Sequence, residues 1–215
     1  MTAGSFPVVD QSVDEIVQPE LTVWGTLLAA GTSSRYGDRN KLLVDIDGEP
    51  MVRHATGVLS ESSVDGVTII VGHEADRVRT AVGDLNVEIR ENNDYERGQS
   101  TSVRAATLAA RKHNADAVVV ALGDMPYLSS STIDRLIAAY ATGSGDALAA
   151  AYEGRRGNPV LFDARFFDDL LALEGDIGGR EILLHSDAAA LVETGDPGVV
   201  RDVDILTDME KTNGT

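Results

Sequence analysis

One short stretch of this sequence gathers positive charge against an acidic background. Between Leu27 and Leu43 the chain reads LLAAGTSSRYGDRNKLL, which places Arg35, Arg39 and Lys41 close together in a protein of formal net charge -17. Only three lysines occur in all, Lys41, Lys112 and Lys211. The apolar run Val23–Ala30 stops at Gly31, and Gly31 and Gly37 allow backbone N–H groups to approach an anion closely. Arg35 offers a planar fork of donors and Lys41 a compact point charge, the two ways in which side chains hold phosphate oxygens. Arg39 reads as solvent-facing. These residue types in this order suit a polyanion, and the competing reading is a polar surface turn with solvated arginines.

A second candidate lies at Asp124. It directly follows the apolar run Ala115–Leu122, and Pro126 prevents a regular ladder from continuing. A carboxylate at the carboxyl end of a strand, beside an anion loop, suits Mg²⁺, which prefers oxygen ligands and phosphate partners. The alternative is an ordinary turn or capping aspartate. The phosphate loop is of neither familiar type: GxxxxGK followed by Ser or Thr is absent, and so are the GxGxxG fingerprint and the GxSxG nucleophile elbow. His54, His73, His113 and His185 show no ligand spacing and read as packing or surface residues. Trp24 reads as core.

The elements that must position these residues alternate. Strands are expected at Thr22–Ala30, Gly66–Val71, Val87–Arg90, Ala115–Leu122, Asp146–Tyr152, Pro159–Phe162, Ala190–Glu193 and Val199–Val203, with a loop over Arg155–Pro159. Helices are expected at Pro50–Ser60, Ala75–Val82, Ser100–Asn114, Ser129–Thr142, Phe166–Leu173 and Gly178–His185. Ser100 or Thr101 is available to cap the third helix, whose N-terminus is a potential anion site. Nearly continuous apolar strands between helices imply an α/β fold: three layers, with a mostly parallel sheet covered by helices on both faces. Such sheets bind ligands at the carboxyl ends of their strands. Gly31–Lys41 and Gly123–Pro126 both occupy that position. Residues 1–20 lack a clear period and are expected to form a mobile or loosely docked tail, with residues 21–211 as the single domain.

Composition narrows the function classes. With no cysteine, disulfides, thiolate metal sites and thiol catalysis are excluded. Asp plus Glu number 35 against 18 Lys plus Arg, which argues against a nucleic-acid partner. No apolar run reaches membrane-spanning length, and no secretion signal opens the chain, so neither a membrane partner nor export is expected. A cytoplasmic protein is the plain expectation. The excess of arginine over lysine, with so many acids, suits a salt-loving host in which salt screens self-repulsion.

The motifs then fall into a known order. LAAGTSSRYGDRNKLL resembles the LAAGxSxRxGxxKxL signature of the MobA-like nucleotidyltransferases, with one more residue between Gly37 and Lys41 than is usual there. The resemblance continues through ENNDYERGQSTSVRAA, GDMPYL, GNPVLF, GDIGGREIL and DVDILTD, over about residues 22–210. The molybdenum cofactor cytidylyltransferases are the branch it is most similar to. The resemblance implies a Rossmann-like nucleotidyltransferase fold. It also implies attack by a phosphate monoester on the α-phosphorus of a nucleoside triphosphate, with release of pyrophosphate. CTP is the favoured nucleotide, because LAAG at Leu28–Gly31 resembles the cytidylyl branch rather than the guanylyl LAGG.

Carried over residue by residue, the resemblance implies catalytic roles for Arg35, Lys41 and Asp124. It implies nucleotide contacts from Leu28, Ala29, Ala30, Gly31, Thr32 and Ser33 in the first loop, joined by Arg35 and Lys41. Gln99, Ser100 and Ser102 would contribute from the third helix, and Gly123 and Asp124 from the second loop. Asn158 and Arg180 would face a phosphate-bearing small-molecule acceptor such as molybdopterin cofactor. Mg²⁺ would be held by Asp124 and Asp204, with Asp202 and Asp208 as competitors for the second place. Transient contact with a molybdoenzyme is implied as well. Alternatives in the same fold are a GTP-using enzyme, a sugar- or alditol-phosphate nucleotidyltransferase, and a non-catalytic nucleotide-binding maturation factor.

Overall fold

Period-two alternation organises the centre of the molecule, because successive side chains of a strand point to opposite faces. In the computed structural model, which describes residues 8–9, 21–32 and 40–202, this is clearest in Ala117–Leu122. Ala117, Val119 and Ala121 pack into one core, and Val118 and Val120 into another on the opposite face. Both faces are apolar, as a strand covered on two sides requires.

The strands are β1 (Val8–Val9), β2 (Val23–Ala29), β3 (Asp45–Ile46), β4 (Glu49–Pro50), β5 (Gly66–Val71), β6 (Glu88–Glu91), β7 (Ala117–Leu122), β8 (Ala147–Tyr152), β9 (Arg155–Asp163) and β10 (Ala189–Glu193). Eight of them form one sheet in the order β1-β10-β8-β9-β7-β2-β5-β6, and β3 and β4 make a separate two-stranded ribbon. Every pairing in the large sheet is parallel except those of β9, which runs antiparallel to both β7 and β8. Val8–Val9, within the stretch expected as a tail, adds a parallel edge strand against Leu191 and Val192.

The helices are α1 (Met51–Ser60), α2 (Ala75–Val82), α3 (Gln99–Lys112), α4 (Ser130–Ala141), α5 (Phe167–Ala172) and α6 (Arg180–His185). Leu59 of α1, Val78 of α2 and Leu136 of α4 pack with Leu27, Ile69 and Val119 on one face. Val103 of α3, Leu170 of α5 and Leu183 of α6 pack with Val118, Phe162 and Leu191 on the other. The result is the three-layer arrangement anticipated from the alternating pattern.

Three local expectations are corrected. Arg155–Pro159 is not a loop but the first half of β9, and the turn lies at Glu153 and Gly154, both at positive φ. Glu193 of β10 accepts from both of their N–H groups, a tertiary contact that sequence spacing does not reveal. Val199–Val203 is not a strand: Pro197–Val200 forms a 3-10 turn capped by Asp196, and Val203 lies outside the described residues. Neither Ser100 nor Thr101 caps α3. The cap position is Gly98, and both hydroxyl residues lie inside the first turn.

Candidate active site

Two chain segments converge where β2 and β7 end. After β2 the chain returns at Asn40, whose side-chain oxygen accepts from the N–H of Leu42 and whose amide nitrogen donates to the His73 carbonyl. That cap starts the 3-10 turn Lys41–Leu43 and buries the stem of Lys41. Beyond β7, Gly123 is pressed against the Leu28 carbonyl and the Leu42 side chain. Asp124 therefore leaves the strand on the side where Lys41 waits. Lys41 Nζ donates to Asp124 Oδ2 at 3.0 Å, with only 10% of the lysine side chain exposed.

The other oxygen of that carboxylate is the unusual one. Asp124 Oδ1 is buried and has no hydrogen-bond partner among the described residues. A buried unmatched acceptor is costly unless something binds it. Asp124 is part of the wall of a cavity of about 660 Å³ at the carboxyl ends of the strands. An anionic oxygen in such a place suits a hard cation, so Asp124 fits the divalent metal implied by the sequence. No cluster of three or more His, Cys, Asp or Glu side chains occurs among the described residues, so any further ligands must come from substrate, water or residues outside them.

The cavity gathers residues expected from the first loop and from the second: Leu28, Ala30, Gly31, Thr32, Lys41, Gly123 and Asp124 all line it. Gln99 and Ser102 join them from α3. Ala29 is buried in β2 and Ser100 at the start of α3, both behind the wall. Ser33, Arg35, Gly37, Arg39, Asp204 and Asp208 lie outside the described residues. Asn158, in β9, and Arg180, which opens α6, are not part of the cavity wall.

Four further residues were not singled out from sequence. Tyr95 forms one wall, and Gly72 makes room for it: a Cβ on Gly72 would lie 2.9 Å from the Tyr95 side chain and 2.8 Å from Ala30 Cβ. Asp176 also lines the cavity, and its carboxylate accepts from the N–H of Gln99. The Gly175 carbonyl accepts from the N–H of Ser100, so the chain itself satisfies part of the N-terminus of α3, the potential anion site of the sequence. That contact needs Gly98, whose φ is +110 and whose Cβ would sit 2.4 Å from the Gly175 oxygen. Arg156 is half-buried near Arg180; burial, and then the like charge of Arg180, hold its guanidinium below its ordinary pKa. Asn92 is the fourth, a buried amide that donates to the Thr101 and Ser102 hydroxyls. The only sequence signals were the doubled arginine before Gly157 and the acid in GDIGGR. Neither shows a contact by itself.

Residues 25–190 match the MobA-like NTP transferase domain. The chain belongs to that family. A nicotine blue oxidoreductase from Paenarthrobacter nicotinovorans is 30% identical over 87% of this chain and 94% of its own length. The structure of Rv0371c from Mycobacterium tuberculosis superposes with a TM-score of 0.79 at 26% identity, covering 91% of this chain and 98% of that one. A complex of Rv0371c with manganese superposes with a TM-score of 0.73 at 25% identity, covering 88% and 97%. This MobA-like protein is thus a nucleotidyltransferase by family, and the sheet and helices agree with that fold. No helix among the described residues is long and apolar enough to cross a membrane.

Proposed function

We propose that the protein transfers CMP from CTP to the terminal phosphate of a pterin-type acceptor such as molybdopterin cofactor, releasing pyrophosphate. The observation that carries this reading is the Lys41–Asp124 pair, with one carboxylate oxygen unmatched among the described residues, in the wall of a cavity that Gly31, Thr32 and Gly123 also line. A phosphate monoester has its second pKa near ~6, so it is mostly ionised at neutral pH and needs no side-chain base. One of its oxygens attacks the α-phosphorus while the bond to the β-phosphate bridging oxygen breaks and its electrons leave with pyrophosphate. The protein must align the two phosphates and offset the charge that builds up between them.

Lys41 contributes a buried positive charge at the strand ends, and its position is fixed by the Asn40 cap below it. Asp124 would hold a divalent cation through Oδ1, for which Mg²⁺ is our reading, and Asp204 would be the second carboxylate. When bound, such an ion neutralises phosphate oxygens and stabilises the charge on the leaving pyrophosphate. Arg35 is assigned to the triphosphate from its motif position. Arg180 and Asn158, now with Arg156, are assigned to the acceptor's phosphate. The charge balance supports a salt-loving host as part of the same reading.

One relative carries the name of an oxidoreductase, so the decisive experiment has two arms. The first follows pyrophosphate release with CTP, GTP, ATP and UTP, with and without Mg²⁺. Molybdenum cofactor, a sugar 1-phosphate and an alditol phosphate serve as acceptors. The second follows oxidation of NADH or NADPH with the same protein. The expected result is Mg²⁺-dependent pyrophosphate release with CTP and the pterin acceptor alone. Release with a sugar or alditol phosphate, or with GTP, would move the assignment within the fold. Nucleotide binding without release would favour a maturation factor, and nicotinamide oxidation would overturn transfer altogether.

A further inference from the structure

The turn that follows β5 touches two parts of the site. The His73 N–H donates to the Ala30 carbonyl at 3.1 Å, and the His73 carbonyl accepts from Asn40 Nδ2 at 3.4 Å. Glu74 comes next, at φ +50 and ψ +38, in the left-handed region that a glutamate occupies only where its surroundings hold it there. It stands just before α2, yet its carboxylate does not cap that helix. Instead it pairs with Arg77, and only 26% of its side chain is exposed. Its Oε2 is buried without a hydrogen-bond partner among the described residues, 4.0 Å from His73 Nε2. A carboxylate kept largely out of water on a strained backbone is costly unless its place serves something.

Asn40 joins this turn to Lys41. It is 3% exposed, and its Oδ1 accepts from the N–H of Leu42 at 3.1 Å. A backbone N–H can only donate, so that contact fixes which end of the amide is oxygen. The nitrogen therefore faces the His73–Glu74 turn, where its two hydrogens meet two acceptors, the His73 carbonyl and the Glu74 carboxylate. Arg77 foremost, then His73 and the Asn40 amide, hold the Glu74 carboxyl below its ordinary range, so the second acceptor is charged at neutral pH.

We infer that Glu74 is a positioning residue which, through the Asn40 amide, sets the 3-10 turn that presents Lys41 to phosphate. The path is short: carboxylate to amide nitrogen, amide oxygen to the Leu42 N–H, and so to the turn Lys41–Leu43. A charged acceptor holds an amide donor more firmly than the neutral His73 carbonyl can at 3.4 Å. Lys41 needs that support, because a point charge acts fully on a phosphate only when held within about 0.5 Å of its productive place. This rests on the reading of Lys41 as a phosphate-holding residue and adds to it the group that aims it.

The test measures the affinity for inorganic tripolyphosphate by calorimetry with Mg²⁺ present, so that it depends on neither base nor turnover. Glu74→Gln is expected to weaken binding about fivefold, the scale of one charge-assisted hydrogen bond made neutral. Asn40→Asp keeps the acceptor for the Leu42 N–H but sets carboxylate against carboxylate, and should weaken binding by more than about tenfold. Asn40→Asp combined with Glu74→Gln restores a donor and an acceptor with their sides exchanged, and should recover binding to within about threefold of wild type. In a Lys41→Met background, Glu74→Gln should have no further effect.

An unaltered affinity in Glu74→Gln, an equal loss with and without the Lys41 ammonium, or a double variant no better than Asn40→Asp alone would each overturn the inference. Glu74 would then serve only to hold the start of α2. If Asn40→Asp does not fold, the comparison of Glu74→Gln in the wild-type and Lys41→Met backgrounds decides by itself. A Lys41-dependent loss in Glu74→Gln, in a protein that releases no pyrophosphate, would keep this inference while the transfer reading fell. Release of pyrophosphate from CTP by a protein whose tripolyphosphate affinity ignores Glu74 would do the reverse.

Discussion

Both lysines among the described residues sit on a carboxylate, one at each end of the sheet. At the amino ends of the strands, Lys112 donates to Glu88 Oε1 at 2.9 Å and the His113 ring contacts Glu88 Oε2 at 2.8 Å. His113 also stacks on Trp24 with ring centroids 3.7 Å apart, and the Trp24 N–H donates to Thr68. Every oxygen of that carboxylate is matched, and the lysine is largely exposed. At the carboxyl ends, the Lys41–Asp124 pair is more deeply buried and leaves one oxygen unmatched among the described residues. Full matching at a solvent-facing site describes a stabilising contact. Incomplete matching at a buried one is tolerated where the missing partner is a ligand.

The sharpest way to break this contrast is to neutralise each carboxylate in turn. Asp124→Asn is expected to cut pyrophosphate release by about a thousandfold, as loss of a group acting on transition-state charge does. Nucleotide affinity should fall much less. Glu88→Gln should leave release within twofold, measured in the same assay. Equal losses in the two variants would remove the distinction between the ends. A smaller effect separates the acceptor rim from the nucleotide cavity. Arg156→Gln should raise KM for the phosphate-bearing acceptor about tenfold, the scale of one charge-assisted hydrogen bond, with KM for CTP unchanged.

The smallest effect belongs to the amino end and shows in the pH dependence of stability. Lys112 first, then His113, holds the Glu88 carboxyl below its ordinary range. Because the folded value is depressed, its contribution is present above the unfolded value near ~4.3 and is lost as pH falls through the folded one. Urea titrations should show Glu88→Gln less stable than wild type by about 0.5–1 kcal/mol at pH 7, with the gap closing as pH falls below the unfolded value. A gap that does not shrink as pH falls below the unfolded value would mean that packing, not charge, is what Glu88 supplies.

Much of the architecture is legible from local pattern alone. The runs that became β2, β5 and β7 are apolar on both faces, which only a covered sheet explains, and Gly31 and Gly123 mark their carboxyl ends. The meeting of Lys41 with Asp124 follows from parallel neighbours ending at one rim. What escaped the sequence depends on contacts between distant segments. Asp176 reaches Gln99 across 77 positions of chain, and its place on the α3 N-terminus displaced the expected Ser100 or Thr101 cap. The direction of β9 escaped too, because Arg155 and Arg156 look like loop residues until Glu193 is known to hold the turn before them. Asn92 was hidden for another reason. Its amide is spent on the Asp94 N–H and the Thr101 and Ser102 hydroxyls, and composition says nothing about hydrogen-bond direction.

The reversed strand has a consequence for how this scaffold changes partners. β8 and β9 are joined by a two-residue hairpin, Glu153–Gly154, at the same rim as the cavity. Extra residues inserted there would lengthen a solvent-facing finger while the parallel register of β2, β5 and β7 stayed untouched. The architecture thus separates the parallel strands that carry Lys41 and Asp124 from a turn that can change length. Grafting at that turn is the least disruptive place to remodel what the protein accepts.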